Sequence, residues 1–388
     1  MKNQTIGVFF GSRSTEHDVS IVTAIGSIIK PLELSRQYTE IIPIYIAKDG
    51  RWYSDPALKD IGLFSSGKID EWCDHHQPMQ LLFDNGLKLV KSGLRPKVIN
   101  IDVAFPATHG THGEDGDLMG IFEMANVPYV GCGVAASAVA MDKVLAKQVA
   151  EANGLPIAKY VSFSKHDYET NPDAFLKQIK TLKHPLFVKP SHLGSSIGIS
   201  RINNSRDLIN AIEVALHYDS SAIVEEAVTN LIEVTLPIMG NETPRPALLE
   251  KPLTKPEDFF DFDTKYMSGG KKGKAGGGKK SGAQGYSQLP ADLPKGIYRQ
   301  AINVGLGIYK ALGCNGIARV DMLIDSQKEI VYFNEINPLP GSLYAHNWAK
   351  AGVSGIELVT TLVDLALSQA ETKKQSETVF STNYLKQY

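Results

Sequence analysis

Cysteine is scarce in this chain. Its 388 residues hold three, Cys73, Cys132 and Cys314. They stand too far apart for a metal-binding or redox spacing, which excludes a zinc ribbon, a CxxC centre and a disulfide framework. Reduced, buried thiols of a cytoplasmic protein are what remains. Charge of one sign is lacking too: 40 Lys and Arg stand against 42 Asp and Glu, a net charge of -2. No overall basic field therefore draws nucleic acid. No apolar run is long enough to cross a membrane, and Ile6 to Phe10 is too short for a signal-peptide core. There is no internal repeat, no Walker A loop, no dinucleotide fingerprint and no helical HExxH. Two or three packed domains fit the length.

What is present is an alternation of strands and helices. Ile6–Phe10, Glu40–Ala47 and Val98–Phe105 read as strands, Val19–Ile29 and Gly120–Ala125 as helices, and Val127–Val130 as a returning strand. That order predicts a parallel α/β domain over residues 1–131. A second, α+β unit is expected over 132–226. It holds a helix from Ser137 through Met141-Asp142-Lys143 to Ala152, stopped by Asn153-Gly154. Strands Leu186–Pro190 and Ile197–Arg201, helix Asn204–Leu216 and strand Ala222–Glu226 complete it. Residues 227–388 form the third unit, with a Gly/Lys-rich mobile loop at 267–288 that includes the run Gly269–Gly282. Composition favours a solvated linker there over a basic lid.

The strongest chemical signal is Arg319-Val320-Asp321-Met322-Leu323, followed by Phe333-Asn334-Glu335-Ile336-Asn337-Pro338. Both halves alternate apolar and polar residues, the period of a half-buried strand. Arg319 and Asp321 share one face, as do Glu335 and Asn337. A turn at Asp325-Ser326-Gln327-Lys328 folds them into a hairpin that gathers a cation, two carboxylates and a carboxamide. Hard oxygen ligands of this kind suit Mg²⁺, and the arginine can hold a phosphoryl group or an oxyanion. The bland alternative is a solvated hairpin with paired charges.

Other segments carry weaker signals. Lys189-Pro190-Ser191-His192-Leu193-Gly194-Ser195-Ser196-Ile197-Gly198 is a loop rich in N–H and hydroxyl donors that can close over phosphates; alone, it reads equally as a plain turn. Glu225 and Glu226 end an apolar strand that can meet an adenine, with Glu233 near a ribose. His109-Gly110 and Gly113-Glu114-Asp115-Gly116 follow a buried strand, where ligands of α/β sheets bind; His112 reads as structural. Ser14 or Thr15 can cap the first helix, and Glu16 and Asp18 suit its positive end, where a carboxylate can also hold an ammonium.

In this order, the motifs resemble the D-alanine–D-alanine ligases of the ATP-grasp superfamily. The likeness runs from about Ile6 to Leu367 and rests on Ser14–Ser20, His109–Gly116, Ser137–Lys143, Lys189–Gly198, Lys265-Tyr266, Gly316–Asp321 and Asn334–Gly341. It implies a three-domain ATP-grasp fold, α/β and α+β, with an N-terminal parallel α/β domain. It also implies ATP-dependent joining of two D-alanines through a D-alanyl phosphate, for peptidoglycan precursors.

The resemblance assigns Asp321, Glu335 and Asn337 to two Mg²⁺, which Mn²⁺ can replace. ATP goes to Lys143, Lys189, Ser195, Ser196, Glu225, Glu226, Val228 and Glu233. Glu16 holds the first ammonium, His109 lies near the first carboxylate, and Val19 lines the substrate pocket. Arg319 and the Gly341 amide stabilise the tetrahedral oxyanion. Lys265 faces the transferring phosphate, and Tyr266 closes the site against Ser195 and Glu16. A homodimer is implied.

Three departures stand out. His346 and Asn347 occupy the positions where relatives carry a small hydroxyl and an apolar residue for the second substrate's carboxylate. A Gly-Arg-Glu before the third domain is reduced to Glu233. The Gly/Lys run lengthens the segment after Tyr266. An ATP-grasp ligase joining D-alanine to another second substrate, such as D-serine, is the nearer rival. A non-catalytic nucleotide-binding module is the more distant one.

Overall fold

The computed structural model describes residues 4–388 except 85, 92, 94, 95, 195, 254–286, 377–381 and 383. The first sheet has the order β3-β2-β1-β7, built from β1 (Thr5–Gly11), β2 (Glu40–Ile46), β3 (Trp52–Tyr53) and β7 (Val103–Pro106). β1 runs parallel to β2 and β7, and its residues from Ile6 onward are buried, as both faces of a parallel sheet must be. A second sheet pairs β4 (Gln80–Phe83), β5 (Leu87–Lys91) and β6 (Lys97–Ile101).

The single strand expected over Val98–Phe105 is therefore two strands. Lys97–Ile101 alternates exposed and buried residues and belongs in a hairpin, whereas Val103–Pro106 is wholly buried. They part at Asp102, whose carboxylate accepts from the Thr5 amide at 2.7 Å. Val127–Val130 contributes only a bridge, from Tyr129 to Ala104. The first helix is longer than its apolar pattern predicts. It runs as an α-turn over His17–Val22, a wide π segment over Thr23–Ile29 and an α-turn over Lys30–Ser35. Its N-cap is Glu16, without a side-chain cap, while the Ser14 hydroxyl accepts from the Glu16 amide at 3.1 Å.

The helix expected through Asp142 is broken there. Asp142 is extended and accepts from the amides of Val144 at 2.8 Å and Leu145 at 3.0 Å. It thus caps a new helix, Lys143–Ala152, after Val134–Met141. β8 (Tyr160–Ser164), β9 (Leu186–Pro190), β10 (Ser200–Ile202) and β11 (Ser221–Glu226) form an antiparallel sheet in the order β10-β9-β11-β8. Its helix is Leu208–Tyr218. β10 is shorter than predicted, because Ser196 (φ 61°) and Gly198 (φ 72°) are left-handed and interrupt an extended chain.

β12 (Leu231–Met239), β13 (Arg245–Pro246), β16 (Ile317–Asp325) and β17 (Ile330–Asn337) form the third sheet, in the order β13-β12-β16-β17. β14 (Lys251–Pro252) pairs with β15 (Ser287–Gln288). Of the loop expected over 267–288, only Ser287 and Gln288 are described; the Gly/Lys run lies outside the described residues.

Two apolar clusters organise the molecule around the site. Ala136, Ala140, Ala146 and Ala150 of the two helices flanking Asp142 pack against Leu236, Val320, Phe333 and Ile336. The last long helix, Gly355–Lys374, lays Leu358, Val359, Leu362 and Val363 on the first sheet, beside Val8, Phe10 and Phe105. Each such side chain contributes about 1.5–3 kcal/mol when fully buried. Among the described residues no single helix is long and apolar enough to cross a membrane.

Candidate active site

β16 and β17 form the predicted hairpin, in a register that sets Arg319 opposite Asn337 and Asp321 opposite Glu335. The register shifts between Asp321 and Met322, a bulge of the kind that re-aims side chains beside functional sites. The Arg319 guanidinium grips Asp321 in a fork, Nε to Oδ1 at 2.8 Å and Nη2 to Oδ2 at 2.5 Å. It also lies 5.3 Å from the centre of the Tyr344 ring. A carboxylate has about four lone-pair sites, more than the two that the Arg319 fork occupies. Among the described residues, the Asn337 oxygen accepts from the Leu339 amide at 3.2 Å. Asp321, Glu335 and Asn337 thus form an all-oxygen donor set that fits a hard divalent ion.

Capping at Asp142 places Lys143 at the head of its helix, and the ammonium reaches two other elements. Its Nζ donates to the Leu193 carbonyl at 2.6 Å and stands 3.9 Å from Glu335 Oε2. Burial lowers the Lys143 pKa and Glu335 opposes that. One helical turn on, Lys147 is fully buried and meets Glu225 Oε1 at 2.8 Å, while Lys189 from β9 meets Glu225 Oε2 at 2.5 Å. Burial alone would raise Glu225, but the two ammonium groups hold it down at about 2. Burial likewise works against the Lys189 charge, but Glu225, Glu335 and Glu233 hold its pKa above the ordinary value. Glu233 sits half-buried on β12 opposite Leu323, and Val228 is half-buried after β11.

Glu226 is carried to the other side of β11, because neighbouring strand residues point to opposite faces. Its carboxylate accepts from the Lys183 amide at 3.0 Å, so only its backbone can share the face that Glu225 lines. His192, in the loop after β9, lies between two carboxylates: Nε2 is 3.3 Å from Asp142 and Nδ1 is 3.0 Å from Asp219. These hydrogen bonds push its pKa up to about 10.

At the far end two loops converge on Glu16. A Cβ on Gly110 (φ 69°) would come within 2.9 Å of Glu16 Oε2 and 2.5 Å of the Ser14 hydroxyl, and one on Gly194 within 3.5 Å of Glu16. Only glycine permits both the left-handed turn and this approach at residue 110. A Cβ on Gly341 would touch Val19 at 3.9 Å.

His109 is buried, with Nδ1 2.9 Å from Glu114 Oε1 and Nε2 2.9 Å from the Thr23 hydroxyl. Burial pushes the Glu114 carboxyl up, opposed by its bond to His109. Beyond Gly341, Ser342, Leu343 and Tyr344 have φ of 50°, 53° and 52°. Three consecutive non-glycine residues in this region cost of order 1–3 kcal/mol each and persist only where their surroundings enforce them.

His346 and Asn347 depart from the expected substrate clamp. Asn347 is fully buried; its carboxamide donates to the Leu248 carbonyl at 2.9 Å and to Glu250 at 3.0 Å, and accepts from the Leu248 amide at 3.1 Å. With its donors and acceptor spent inside the fold, it straps one loop to the helix Ala345–Lys350. His346 turns to Glu250 at 2.9 Å. Ser195, Lys265 and Tyr266 lie outside the described residues; Ser196 is half-buried in the loop.

Lys147, Thr23, Glu114 and Tyr344 were not among the predicted site residues. Only Lys147 had a local signal, since residues four apart share a helix face and Lys143 was already assigned.

Comparison with known proteins places these features in a family. Residues 5–132 match the family model described as D-ala D-ala ligase N-terminus, and residues 149–364 match D-ala D-ala ligase C-terminus. A curated D-alanine–D-alanine ligase of Natranaerobius thermophilus is 35% identical over 390 residues, covering 98% of this chain and 100% of that protein. The crystal structure of the VanG D-Ala:D-Ser ligase from Enterococcus faecalis aligns with a TM-score of 0.77 at 29% identity, over 94% of this chain and 100% of that one. The structure of the D-alanine–D-alanine ligase from Coxiella burnetii gives 0.77 at 26% identity, over 96% and 98%. With both halves matched and full-length relatives above 30% identity, the chain belongs to the D-alanine–D-alanine ligase family.

Proposed function

We propose that this protein joins two D-alanines into D-alanyl-D-alanine at the expense of ATP, supplying peptidoglycan precursor. The observation that carries this reading is the facing of Arg319 and Asp321 on Asn337 and Glu335 within reach of Lys143, in a chain of this family. A carboxylate is a poor electrophile until activated. One of its oxygens attacks the γ-phosphorus of ATP, the bond to ADP breaks, and an acyl phosphate forms. The second amino acid's nitrogen then attacks the acyl carbon, a proton leaves the nitrogen, and phosphate departs.

Phosphoryl transfer needs positioning and charge neutralisation more than covalent help. Lys143 and Lys189 hold the phosphates, and Ser196 belongs to the loop beside them. Glu225, the backbone of Glu226, Val228 and Glu233 line the adenosine. Asp321, Glu335 and Asn337 would hold Mg²⁺, which would supply neutralisation of the phosphate charge. Glu16 holds the first ammonium, with Val19 alongside. Arg319 and the Gly341 amide meet the oxyanion. The roles expected of Ser195, Lys265 and Tyr266 rest on the family resemblance, as do the homodimer and the cytoplasmic location.

Phosphate release from ATP and Mg²⁺ with D-alanine alone, with products identified by mass, tests the reading. D-Alanyl-D-alanine is expected. Release only when D-serine or D-lactate is added would overturn the second-substrate assignment, and ATP binding without turnover under every mixture would overturn the ligase reading.

A further inference from the structure

The strained loop behind Gly341 is hydrogen-bonded to the first helix through a hydroxyl. The Ser342 amide donates to the Thr23 hydroxyl at 2.9 Å. The same hydroxyl lies 2.9 Å from His109 Nε2, and His109 Nδ1 lies 2.9 Å from Glu114. Thr23, His109 and Glu114 are all buried. Thr23 also opens the π segment of its helix, and wide turns of this kind recur at functional sites. Both ring nitrogens of His109 are therefore occupied, which leaves neither for the substrate carboxylate expected there.

A hydroxyl gives one hydrogen bond and accepts two. With the proton of His109 on Nδ1, Thr23 donates to Nε2 and accepts from Ser342. With both nitrogens protonated, it accepts from both. Either way Ser342 keeps its acceptor, so the strut does not depend on the charge of His109.

We propose that Thr23 is a positioning residue for acyl transfer: its hydroxyl fixes the Ser342 amide, and thereby aims the neighbouring Gly341 amide at the tetrahedral oxyanion. Glu114 and His109 brace that hydroxyl from behind. The inference rests on the ligase reading above and adds to it a residue outside the ATP and metal ligands.

Thr23→Val removes the hydroxyl and keeps the shape; Thr23→Ser keeps the hydroxyl and removes the methyl. Misplacement of a catalytic group by about 1 Å can cost on the order of 100-fold. The expected result for Thr23→Val is thus a fall in kcat of about 10–100-fold with KM for ATP unchanged, and recovery in Thr23→Ser. Amide hydrogen exchange at Ser342, read by mass spectrometry or NMR, should quicken in Thr23→Val and not in Thr23→Ser. Three outcomes would overturn the proposal: wild-type kcat in Thr23→Val, equal losses in both variants, or unchanged Ser342 exchange. A wild-type protein without D-alanine-dependent turnover would sink the ligase reading instead, while the exchange measurement would still judge the strut.

Discussion

The two ends of the site are built differently. At the end proposed for the phosphates, Lys143, Lys147 and Lys189 meet Glu225 and Glu335 as whole charges at 2.5–3.9 Å, all but Glu335 largely out of water. At the acyl-transfer end, Glu114, His109, Thr23 and Ser342 form a chain of hydrogen bonds each 2.9 Å long, behind a strained backbone. Coulomb attraction falls only as the inverse of distance, whereas a hydrogen bond weakens steeply once its angle bends. On the proposed reading, the first end can therefore admit ATP and release ADP with side chains shifting, while the other end would work only if its backbone stays still.

Removing charge should do the most damage. Glu335→Ala deletes a proposed metal ligand and the partner of Lys143. Activity should drop by about 10²–10³-fold or more, as should that of Arg319→Ala; an active Glu335→Ala enzyme would refute the metal assignment. Lys147→Met comes next. Breaking a buried pair costs about 3–5 kcal/mol, and Glu225 retains Lys189, so a loss near the lower end is expected in urea unfolding. KM for ATP should rise as well, because Lys189 is then held more tightly by Glu225 than by phosphate.

pH separates the remaining cases. Glu225 is held at about 2 in the folded protein, below the ordinary glutamate value near 4.3. Its contribution to stability is present above that ordinary value and is lost as pH falls toward 2. Acid unfolding followed by fluorescence should accordingly show a shallower slope in that window for Glu225→Gln. His192 moves the other way. Raised to about 10, it stabilises fully below its ordinary value near 6.5 and loses that contribution as pH rises through 10. Its side chain is half exposed, so the effect of His192→Ala should be the smallest here, about 0.2–1 kcal/mol at neutral pH. A stability gap from wild type that persists above pH 10 would exclude the ion pairs as its source.

How much was legible in advance follows the same division. The β16–β17 hairpin could be read because its polar residues lie in one stretch with period two, which gave the shared faces; the register, with its shift between Asp321 and Met322, came only from the structure. The break at Asp142 was hidden because capping residues and helix-interior residues share a continuous apolar pattern on either side. Lys147 and Glu225 come from different elements, and nothing local in either reports the other. Thr23 is a plain helix residue in sequence; its role exists only because the last sheet's exit loop returns to the first helix. His346 and Asn347 were placed by position in a motif, but the short helix that begins at Ala345 turns Asn347 inward.

The last long helix completes the first sheet. Leu358, Val359, Leu362 and Val363 cover the face that carries Val8, Phe10 and Phe105, so elements from opposite ends of the chain share one core. During synthesis that face must wait for its cover. At about 5–20 residues per second, the roughly 250 residues in between take on the order of ten to fifty seconds to emerge. Throughout that interval the nascent N-terminal segment presents an unprotected apolar surface. A chain stopped before Gly355 would keep the residues proposed for ATP and metal, yet remain a client of chaperones rather than an enzyme.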